Sequence, residues 1–367
     1  MTKRVTFISE IPGWREVKLA YGLRRAGWSV TLLHKNTPPT LDYKVFHAAR
    51  QADAPWDEAH KIGGLFHNFS WCGDETSVRI LQNRPGKVIF DSYDNVFSIY
   101  DTMEQDALRK QQIMIQTLCL READGVVCRD MQTAYRRKET LLGREKPLIL
   151  FPEYCWNDGD IPERRGDGEV HIAQVGYMGL ETRGEVDEGS FMIYEKLVNA
   201  GCHLHIYMHP NYPPPGNPEY HKIFCDYLAL GARTRRVHIY QTIGPHQLCA
   251  DISRFDFGAT ANNVMTFPVE KITHNQARYP FCGSSRMFDY LDAGLGMIMH
   301  RQLSFMWRTF QPYGISLDAT EILASADPKA MLAHKPDRSV FQKARDGLSI
   351  DRNIHRLTQF YETVMGK

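Results

Sequence analysis

Apolar runs alternate with amphipathic segments along the chain, and this alternation predicts an α/β protein. Residues 4–9 indicate a strand that is buried on both faces. From Glu16 to Ala26 the apolar residues recur at helical spacing, and residues 28–34 indicate a second strand. A strand, a helix and another strand in this order predict a parallel βαβ unit.

The same alternation continues through most of the remaining sequence. Further strands are predicted at residues 64–70, 87–91, 147–152, 170–176, 203–208, 237–240, 257–260 and 296–300. Further helices are predicted at residues 75–82, 103–122, 190–200, 220–230, 246–252 and 350–364. Strands that alternate with helices in this way are typical of parallel sheets with helices against their faces.

A segment without hydrophobic periodicity divides the chain. Residues 153–169 are rich in Gly, Pro and charged side chains, which is typical of a linker. We therefore predict an N-terminal domain over residues 1–152 and a second domain over residues 170–349. A chain of 367 residues is long enough for two cores. Ligands of open parallel sheets bind beyond the carboxyl ends of the strands, so we expect the site in loops that follow strands.

Composition excludes several classes of protein. The net charge is +1, with 43% hydrophobic and 24% charged residues, which does not favour a nucleic-acid partner. The eight cysteines include no C-x-x-C pair, so neither a zinc motif nor a redox motif is indicated, and we expect reduced thiols in the cytoplasm. No apolar stretch approaches 18 residues, which argues against a spanning helix. Local basic clusters leave peripheral membrane contact open.

The strongest functional signal lies in residues 284–298, SSRMFDYLDAGLGMI. Here a short apolar helix runs into an apolar strand, and Arg286 and Asp289 share one face of the helix. A helix N-terminus suits phosphate, so Arg286 can neutralise a diphosphate while Asp289 accepts hydrogen bonds from a sugar hydroxyl pair. We expect this segment, with Ser284 and Ser285, to bind a nucleotide-sugar. The alternative is an amphipathic helix with an internal Arg–Asp pair.

This segment resembles the P-x-K-x-x-E-Y-x-A-x-G-x-P-V-I segment of GT-B glycosyltransferases, particularly the GT4-like and CgeB-like groups. In that family the Glu binds the donor ribose and the basic residue faces the donor phosphates, which implies these roles for Asp289 and Arg286. The resemblance also implies a GT-B fold, in which two Rossmann-like parallel-sheet domains face each other across a cleft. Residues 350–367 would then form a helix that crosses back to the N-terminal domain.

Two other segments resemble the same family. The stretch PGWREVKLAYGLRRAGWSVTLL resembles the opening of a GT-B N-terminal domain. Its first loop places three residues on the acceptor side: Glu10, Gly13 and Trp14. The stretch VGYMGLETRG resembles V-G-x-L-x-x-x-K-G, whose Lys contacts the donor diphosphate. This implies donor contacts for Arg183, with Gly176 and Gly179 permitting close backbone approach, although Arg183 can also be a solvated loop residue.

Candidates for acceptor activation follow the strands of the first domain. Asp94 and Asp91 lie in FDSYDN, and His67 lies in LFHNFSW. The resemblance implies an acid or base in these loops, and Asp94 is the first choice. The alternatives are a turn-capping Asp94 and a His67 packed in the core. Retaining GT4 enzymes carry E-x7-E, but Phe281 stands at the first Glu position, so a retaining or an inverting outcome is left open.

These features together predict a glycosyltransferase that uses a nucleotide-sugar, linked to UDP or GDP, and a glycan, lipid-linked or protein acceptor. We expect no metal, since Asp158 and Asp160 spell D-x-D only within the linker. A nucleotide-sugar epimerase of GT-B shape and a non-catalytic nucleotide-sugar-binding protein are the alternatives. A dinucleotide oxidoreductase is disfavoured because no G-x-G-x-x-G follows the first strand.

Overall fold

The computed structural model describes residues 3–38, 41–70, 75–84, 86–92, 107–132, 145–161, 163–177, 190–261 and 276–366. Contacts between Cα atoms divide the chain into two compact units. Unit 1 comprises residues 1–156, 281–283 and 348–367, and unit 2 comprises residues 157–280 and 284–347.

Unit 1 is a parallel sheet of seven strands in the order β3-β2-β1-β4-β5-β6-β7. Its strands are β1 (Lys3–Ser9), β2 (Trp28–His34), β3 (Ala48–Gln51), β4 (Gly64–Ser70), β5 (Gly86–Ser92), β6 (Gly125–Cys128) and β7 (Leu148–Leu150). Its helices are α1 (Trp14–Arg25), α2 (Pro55–Ile62), α3 (Glu75–Asn83), α4 (Ala107–Glu122) and, at the end of the chain, α14 (Ile350–Val364).

The two faces of this sheet carry separate cores. On one face α1 and α14 pack against β1 and β2, with Phe7, Leu32 and Tyr361 fully buried. On the other face α2 contributes Ala59 to a cluster that includes Ile8 of β1. Successive side chains along a strand point to opposite faces, so one strand supplies residues to both cores.

Unit 2 is a parallel sheet of six strands in the order β10-β9-β8-β11-β12-β13. Its strands are β8 (His171–Gly176), β9 (His203–Met208), β10 (Val237–Tyr240), β11 (Phe257–Thr260), β12 (Gly296–Met299) and β13 (Ser316–Asp318). Its helices are α5 (Phe191–Asn199), α6 (Pro218–Ile223), α7 (Cys225–Thr234), α8 (Pro245–Ile252), α9 (Ser285–Asp292), α10 (Ser304–Phe310), α11 (Ala319–Ala324), α12 (Pro328–Leu332) and α13 (Arg338–Leu348).

Strand order reverses at one point in each sheet. In unit 1 the chain leaves β3 at one edge and returns beside β1 as β4, and in unit 2 it returns beside β8 as β11. Such a reversal separates neighbouring loops at the carboxyl edge and leaves a crevice for ligands. Each unit therefore has one topological switch point, between β1 and β4 or between β8 and β11.

Most predicted strands and helices are present, with ends that agree within a few residues. One helix is wrong: residues 220–230 were expected to be continuous, but α6 and α7 are separated at Phe224. The Phe224 side chain is fully buried and its backbone has left the helical region, with φ −99° and ψ 14°. The described part of the predicted 103–122 helix is α4, and its first four residues lie outside the described residues.

Candidate functional site

The predicted donor segment lies at the carboxyl edge of the unit 2 sheet. Helix α9 follows β11 in sequence and has Ser284 as its N-cap residue. Its buried residues include Met287, Phe288 and Leu291, while Arg286 and Asp289 are only partly buried. As the helical spacing predicts, the side chains of Arg286 and Asp289 lie outside the buried face of α9.

Tyr290 fixes α9 to the switch point. Its hydroxyl group accepts a hydrogen bond from the Val175 amide of β8 (3.1 Å) and donates one to the Ala259 carbonyl of β11 (3.1 Å). Gly258 makes room for the ring, since a Cβ atom there would lie 2.2 Å from Tyr290 Cγ. A single side chain thus bridges the two strands between which the crevice opens.

The Arg286 guanidinium acts on groups that follow neighbouring strands. Burial lowers the pKa of His209, which follows β9, and the positive charge of Arg286 lowers it further. Burial raises the pKa of Tyr290 to about 12, although the charge of Arg286 opposes this rise. The charge has the same opposing effect on the pKa of Tyr194 of α5, which burial raises well above its ordinary value. Arg286 therefore lies near His209, Tyr290 and Tyr194.

The N-terminus of α9 adds backbone donors near the same place. The Ser284 side chain makes no capping hydrogen bond, and Ser284 and Ser285 are both partly exposed. Backbone N–H groups at a helix start carry partial positive charge that suits phosphate oxygens. The arrangement can hold an anionic group against Arg286 while Asp289 lies one turn further along the helix.

Aromatic residues beside this edge were not predicted from the sequence. Tyr177 follows Gly176 and is 57% exposed, and its ring stacks on Tyr212 with centroids 5.9 Å apart. His209 is the third such residue. All three lie within four residues of the end of β8 or β9. This position after a predicted strand was the only indication of them in the sequence. Gly176 has φ 82°, while Gly179 and Arg183 lie outside the described residues.

In unit 1, two of the predicted catalytic residues form a buried network. Asp91 Oδ2 accepts a hydrogen bond from Arg15 Nε (2.8 Å) and lies within hydrogen-bond distance of His67 Nε2 (3.1 Å). His67 Nδ1 lies 2.6 Å from the Tyr361 hydroxyl of α14. Both His67 and Asp91 are at most 1% exposed. The network therefore joins β4, β5, α1 and α14 through polar groups.

Electrostatics fix the charge states of this network. Burial lowers the pKa of His67, although Asp91 opposes the change. Burial tends to raise the pKa of Asp91, but the charge of Arg15 and the hydrogen bonds from His67 and Arg15 outweigh burial and lower it. At neutral pH the network is therefore an Arg15–Asp91 ion pair beside a neutral imidazole that donates from Nε2 and accepts from Tyr361.

The predicted acceptor-side residues of unit 1 lie in the loop after β1 and at the first position of α1. Glu10 Oε1 accepts a hydrogen bond from Thr76 Oγ1 (2.7 Å), and the Gly13 amide donates to Glu16 Oε2 (3.0 Å) at the start of α1. The Trp14 ring contacts Trp156 edge to face, with centroids 6.4 Å apart. Asp94, the first choice for the acceptor base, lies outside the described residues.

The described part of the chain shows neither a cluster of metal ligands nor a helix suited to span a membrane. It contains no group of three or more His, Cys, Asp or Glu side chains arranged to hold a metal ion. None of its helices combines the length and the apolar character that crossing a bilayer requires.

Comparison with known proteins gives matches in structure but not in sequence. No protein-family model matches the chain, and no curated protein matches its sequence significantly. A sucrose-phosphate synthase from Thermosynechococcus elongatus is 14% identical, with a TM-score of 0.61 and 99% of each chain covered. HepE from Anabaena, in complex with UDP, is 10% identical, with a TM-score of 0.56 over 98% of this chain and 100% of that one. MnaA from S. aureus, also with UDP, is 9% identical, with a TM-score of 0.55 over 99% and 97%.

The chain has the GT-B fold. Two Rossmann-like parallel sheets, of seven and six strands, together with these whole-length matches, confirm the fold class predicted from the sequence. At 14% identity or less, the likeness defines the fold and leaves the activity to be argued from the site.

Proposed function

We propose that the protein is a glycosyltransferase that moves a sugar from a nucleotide-sugar to an acceptor, without a metal ion. The observation that carries the proposal is the position of Arg286 and Asp289. They are partly exposed on one helix, which Tyr290 anchors across the switch point of unit 2. A diphosphate next to a pentose presents anionic oxygens beside a hydroxyl pair, which matches this cation and carboxylate. UDP in HepE and MnaA, which share the fold, supports a nucleotide as the ligand.

Unit 2 is the donor side in this proposal. Arg286 and the N-terminus of α9, with Ser284 and Ser285, hold the diphosphate, and Asp289 accepts hydrogen bonds from the ribose. Arg183 provides a second cation, while Gly176 and Gly179 let the backbone approach the ligand. These assignments follow the resemblance to the GT4-like and CgeB-like groups, and the donor sugar is linked to UDP or GDP.

Unit 1 is the acceptor side, with Glu10, Gly13 and Trp14 beside the acceptor. Asp94 takes the acceptor proton, and it lies only three residues beyond Asp91 in sequence. We assign His67 and Asp91 to the same machinery, as a buried pair of which Asp91 is close to Asp94 in sequence. Their burial and their protein partners favour a positioning role over direct contact with the acceptor.

The reaction forms a bond between an acceptor oxygen and the anomeric carbon while the bond to the nucleoside diphosphate breaks. Positive charge develops on the sugar, and negative charge develops on the leaving diphosphate. Arg286 and the start of α9 stabilise that negative charge, which is the contribution a Lewis-acidic cation would otherwise make. The acceptor proton passes to Asp94 as the new bond forms.

A binding panel tests the donor assignment. Thermal shifts are measured with UDP-, GDP-, ADP-, CMP- and dTDP-sugars, because a ligand at a hundredfold excess over its dissociation constant stabilises a fold by about 2.7 kcal/mol. We expect the nucleotide-sugars of one base to raise the unfolding temperature of the wild type. Each of the variants Arg286→Ala and Asp289→Ala is expected to abolish that shift. Arg233→Ala is the matched control, since Arg233 is exposed on α7 and paired with Glu195.

Product analysis separates the proposal from its alternatives. Transfer to an added acceptor, with release of the nucleoside diphosphate, is expected from the wild type. Conversion of the donor sugar without an acceptor would instead identify an epimerase. Binding without turnover over a broad acceptor panel would identify a non-catalytic binding protein. An unchanged shift in both the Arg286→Ala and Asp289→Ala variants would remove α9 from the site.

A further inference from the structure

Unit 1 has a cavity at the amino edge of its sheet, opposite to the edge at which ligands of such sheets bind. The cavity has a volume of about 730 Å³. Its walls come from the starts of β1, β2 and β4, the end of α1, the end of α2 and the residue before β3. The polar side chains that line it include Arg4, Thr6, Arg24, Ser29 and Thr31.

One face of the sheet changes from apolar to polar where this cavity begins. In the register between β1 and β2, Ile8 is level with Leu33, and both belong to the core that α2 covers. Towards the amino ends the corresponding pairs are polar, namely Thr6 with Thr31 and Arg4 with Ser29. An apolar side chain at these positions would extend the core, so the polar pairs mark a surface that faces a polar environment.

The charges in the lining all have the same sign. Arg4 and Arg24 are cations, and none of the described residues that line the cavity is a carboxylate. Within the described part of the chain, the Arg4 guanidinium makes no hydrogen bond or ion pair. Arg24 is held in place, because its Nη1 donates to the carbonyl oxygens of Lys44 (2.7 Å) and Val45 (2.9 Å). Two arginines with no acid among the described lining residues favour an anion.

Hydroxyl groups lie beside these cations. Thr6 is 4% exposed, and among the described residues its hydroxyl group has no hydrogen-bond partner. Ser29 and Thr31 are partly buried, and their hydroxyl groups likewise lack partners in the described ranges. These hydroxyl groups are therefore available to hydrogen-bond a polar ligand in the cavity.

We propose that this cavity binds a small phosphate ester that also carries hydroxyl groups, such as a phosphorylated sugar or polyol. Arg4 and Arg24 hold the phosphate, and Thr6, Ser29 and Thr31 hydrogen-bond the hydroxyl groups. The volume exceeds that of inorganic phosphate and accommodates a monosaccharide phosphate. The site is independent of the donor site, because its residues belong to unit 1 and to the amino ends of the strands.

Calorimetric titration with glucose 6-phosphate at low salt tests this proposal. We expect saturable binding to the wild type, about a tenfold weaker dissociation constant in Arg4→Gln, and about a threefold weaker one in Thr31→Val. Lys3→Gln is the matched control: Lys3 precedes Arg4 on β1, pairs with Glu362 and does not line the cavity. It is expected to bind within about twofold of the wild type.

Two further probes locate the ligand. Inorganic phosphate is expected to bind about tenfold more weakly than glucose 6-phosphate, because it cannot use the hydroxyl groups. Arg286→Ala is expected to bind glucose 6-phosphate as the wild type does. The proposal fails if the wild type shows no saturable binding, if the Arg4→Gln and Lys3→Gln variants lose affinity equally, if inorganic phosphate binds equally well, or if Arg286→Ala removes binding. Circular dichroism confirms that each variant is folded.

Discussion

At the scale of single residues, Asp91 shows how a charge is kept inside unit 1. Its side chain and that of Arg15 are each 1% exposed, and their ion pair is 2.8 Å long. Because the pKa of Asp91 is lowered in the folded state, the pair contributes stability above the ordinary pKa of an aspartate, and this contribution is lost as the pH falls.

Removal of the Asp91 charge is expected to destabilise the fold strongly. Asp91→Asn breaks the buried Arg15–Asp91 ion pair, which costs about 3–5 kcal/mol, and leaves Arg15 with the longer contact to Glu153 (3.5 Å). Tyr361→Phe removes only the hydroxyl group that bonds His67 Nδ1, which costs about 1 kcal/mol. Denaturant unfolding at pH 7 measures both. A loss below about 1 kcal/mol in Asp91→Asn would contradict the ion pair.

Substitution of Asp94, unlike that of Asp91, is expected to lower activity and to leave stability unchanged. If it is the acceptor base, Asp94→Asn lowers the rate of sugar transfer by about 10²–10⁴-fold, because the acceptor proton has no receiver. Donor binding and the free energy of unfolding should stay near those of the wild type. Steady-state kinetics and the donor thermal shift are measured together. Wild-type turnover in Asp94→Asn would assign the base elsewhere.

At the scale of elements, α14 packs so closely on α1 that one position tolerates no side chain. A Cβ atom at Gly22 would lie 2.7 Å from Ile350 Cγ1 and 3.2 Å from Ile354 Cδ1. Gly22→Ala should therefore destabilise the protein by about 1–3 kcal/mol by overpacking, although alanine is the better helix former. Ile350→Ala in the same chain should recover part of this loss in a double-mutant cycle. A stabilising Gly22→Ala would contradict this close approach.

Four histidines form a stacked ladder across β8, β9 and β10. His171 Nδ1 lies 2.9 Å from His205 Nε2, and His203 Nδ1 lies 3.2 Å from His238 Nε2. Burial, followed by the charges of His238 and His171, lowers the pKa of His205 to about 2. The pKa values of His203 and His238 are lowered as well, with burial as the first cause. The folded state therefore favours the neutral forms of His203, His205 and His238.

This ladder predicts acid sensitivity of the fold. Below about pH 6.5 His205 is protonated in the unfolded chain but stays neutral in the folded one. The free energy of unfolding therefore decreases as the pH is lowered from about 6.5 towards about 2. We expect His205→Phe to flatten the dependence of unfolding free energy on pH between about 7 and 5. His221→Gln is the control, because His221 is exposed on α6. Equal slopes for His205→Phe and the wild type would contradict the assignment.

Local pattern predicted the regular elements well and their long-range contacts poorly. The bounds of β2, β4, β9, β10 and α14 agree with the prediction because each has clear periodicity. No prediction covered β3 or α2, since the exposed strand and the short helix carry mixed polarity. Likewise, the pattern placed Arg286 and Asp289 on one helix face, but it did not reveal the contact of Tyr290 with Gly258, which is 32 residues distant in sequence.

At the scale of the whole molecule, both units repeat one strand order. In each unit the second and third strands are added on one side of the first strand. The chain then crosses back, and the later strands are added on the other side of the first strand. This repetition gives the GT-B fold two switch points, of which we assign one to the donor and one to the acceptor. The fold is shared by proteins with little sequence in common, so the activity rests on the side chains at these edges.

A crystal structure with UDP tests the central claim most directly. The account predicts the diphosphate at the start of α9 in contact with Arg286, and a ribose hydroxyl group within hydrogen-bond distance of the Asp289 carboxylate. UDP bound away from the carboxyl edge of the unit 2 sheet, or bound there with Arg286 and Asp289 both turned from it, would contradict the account.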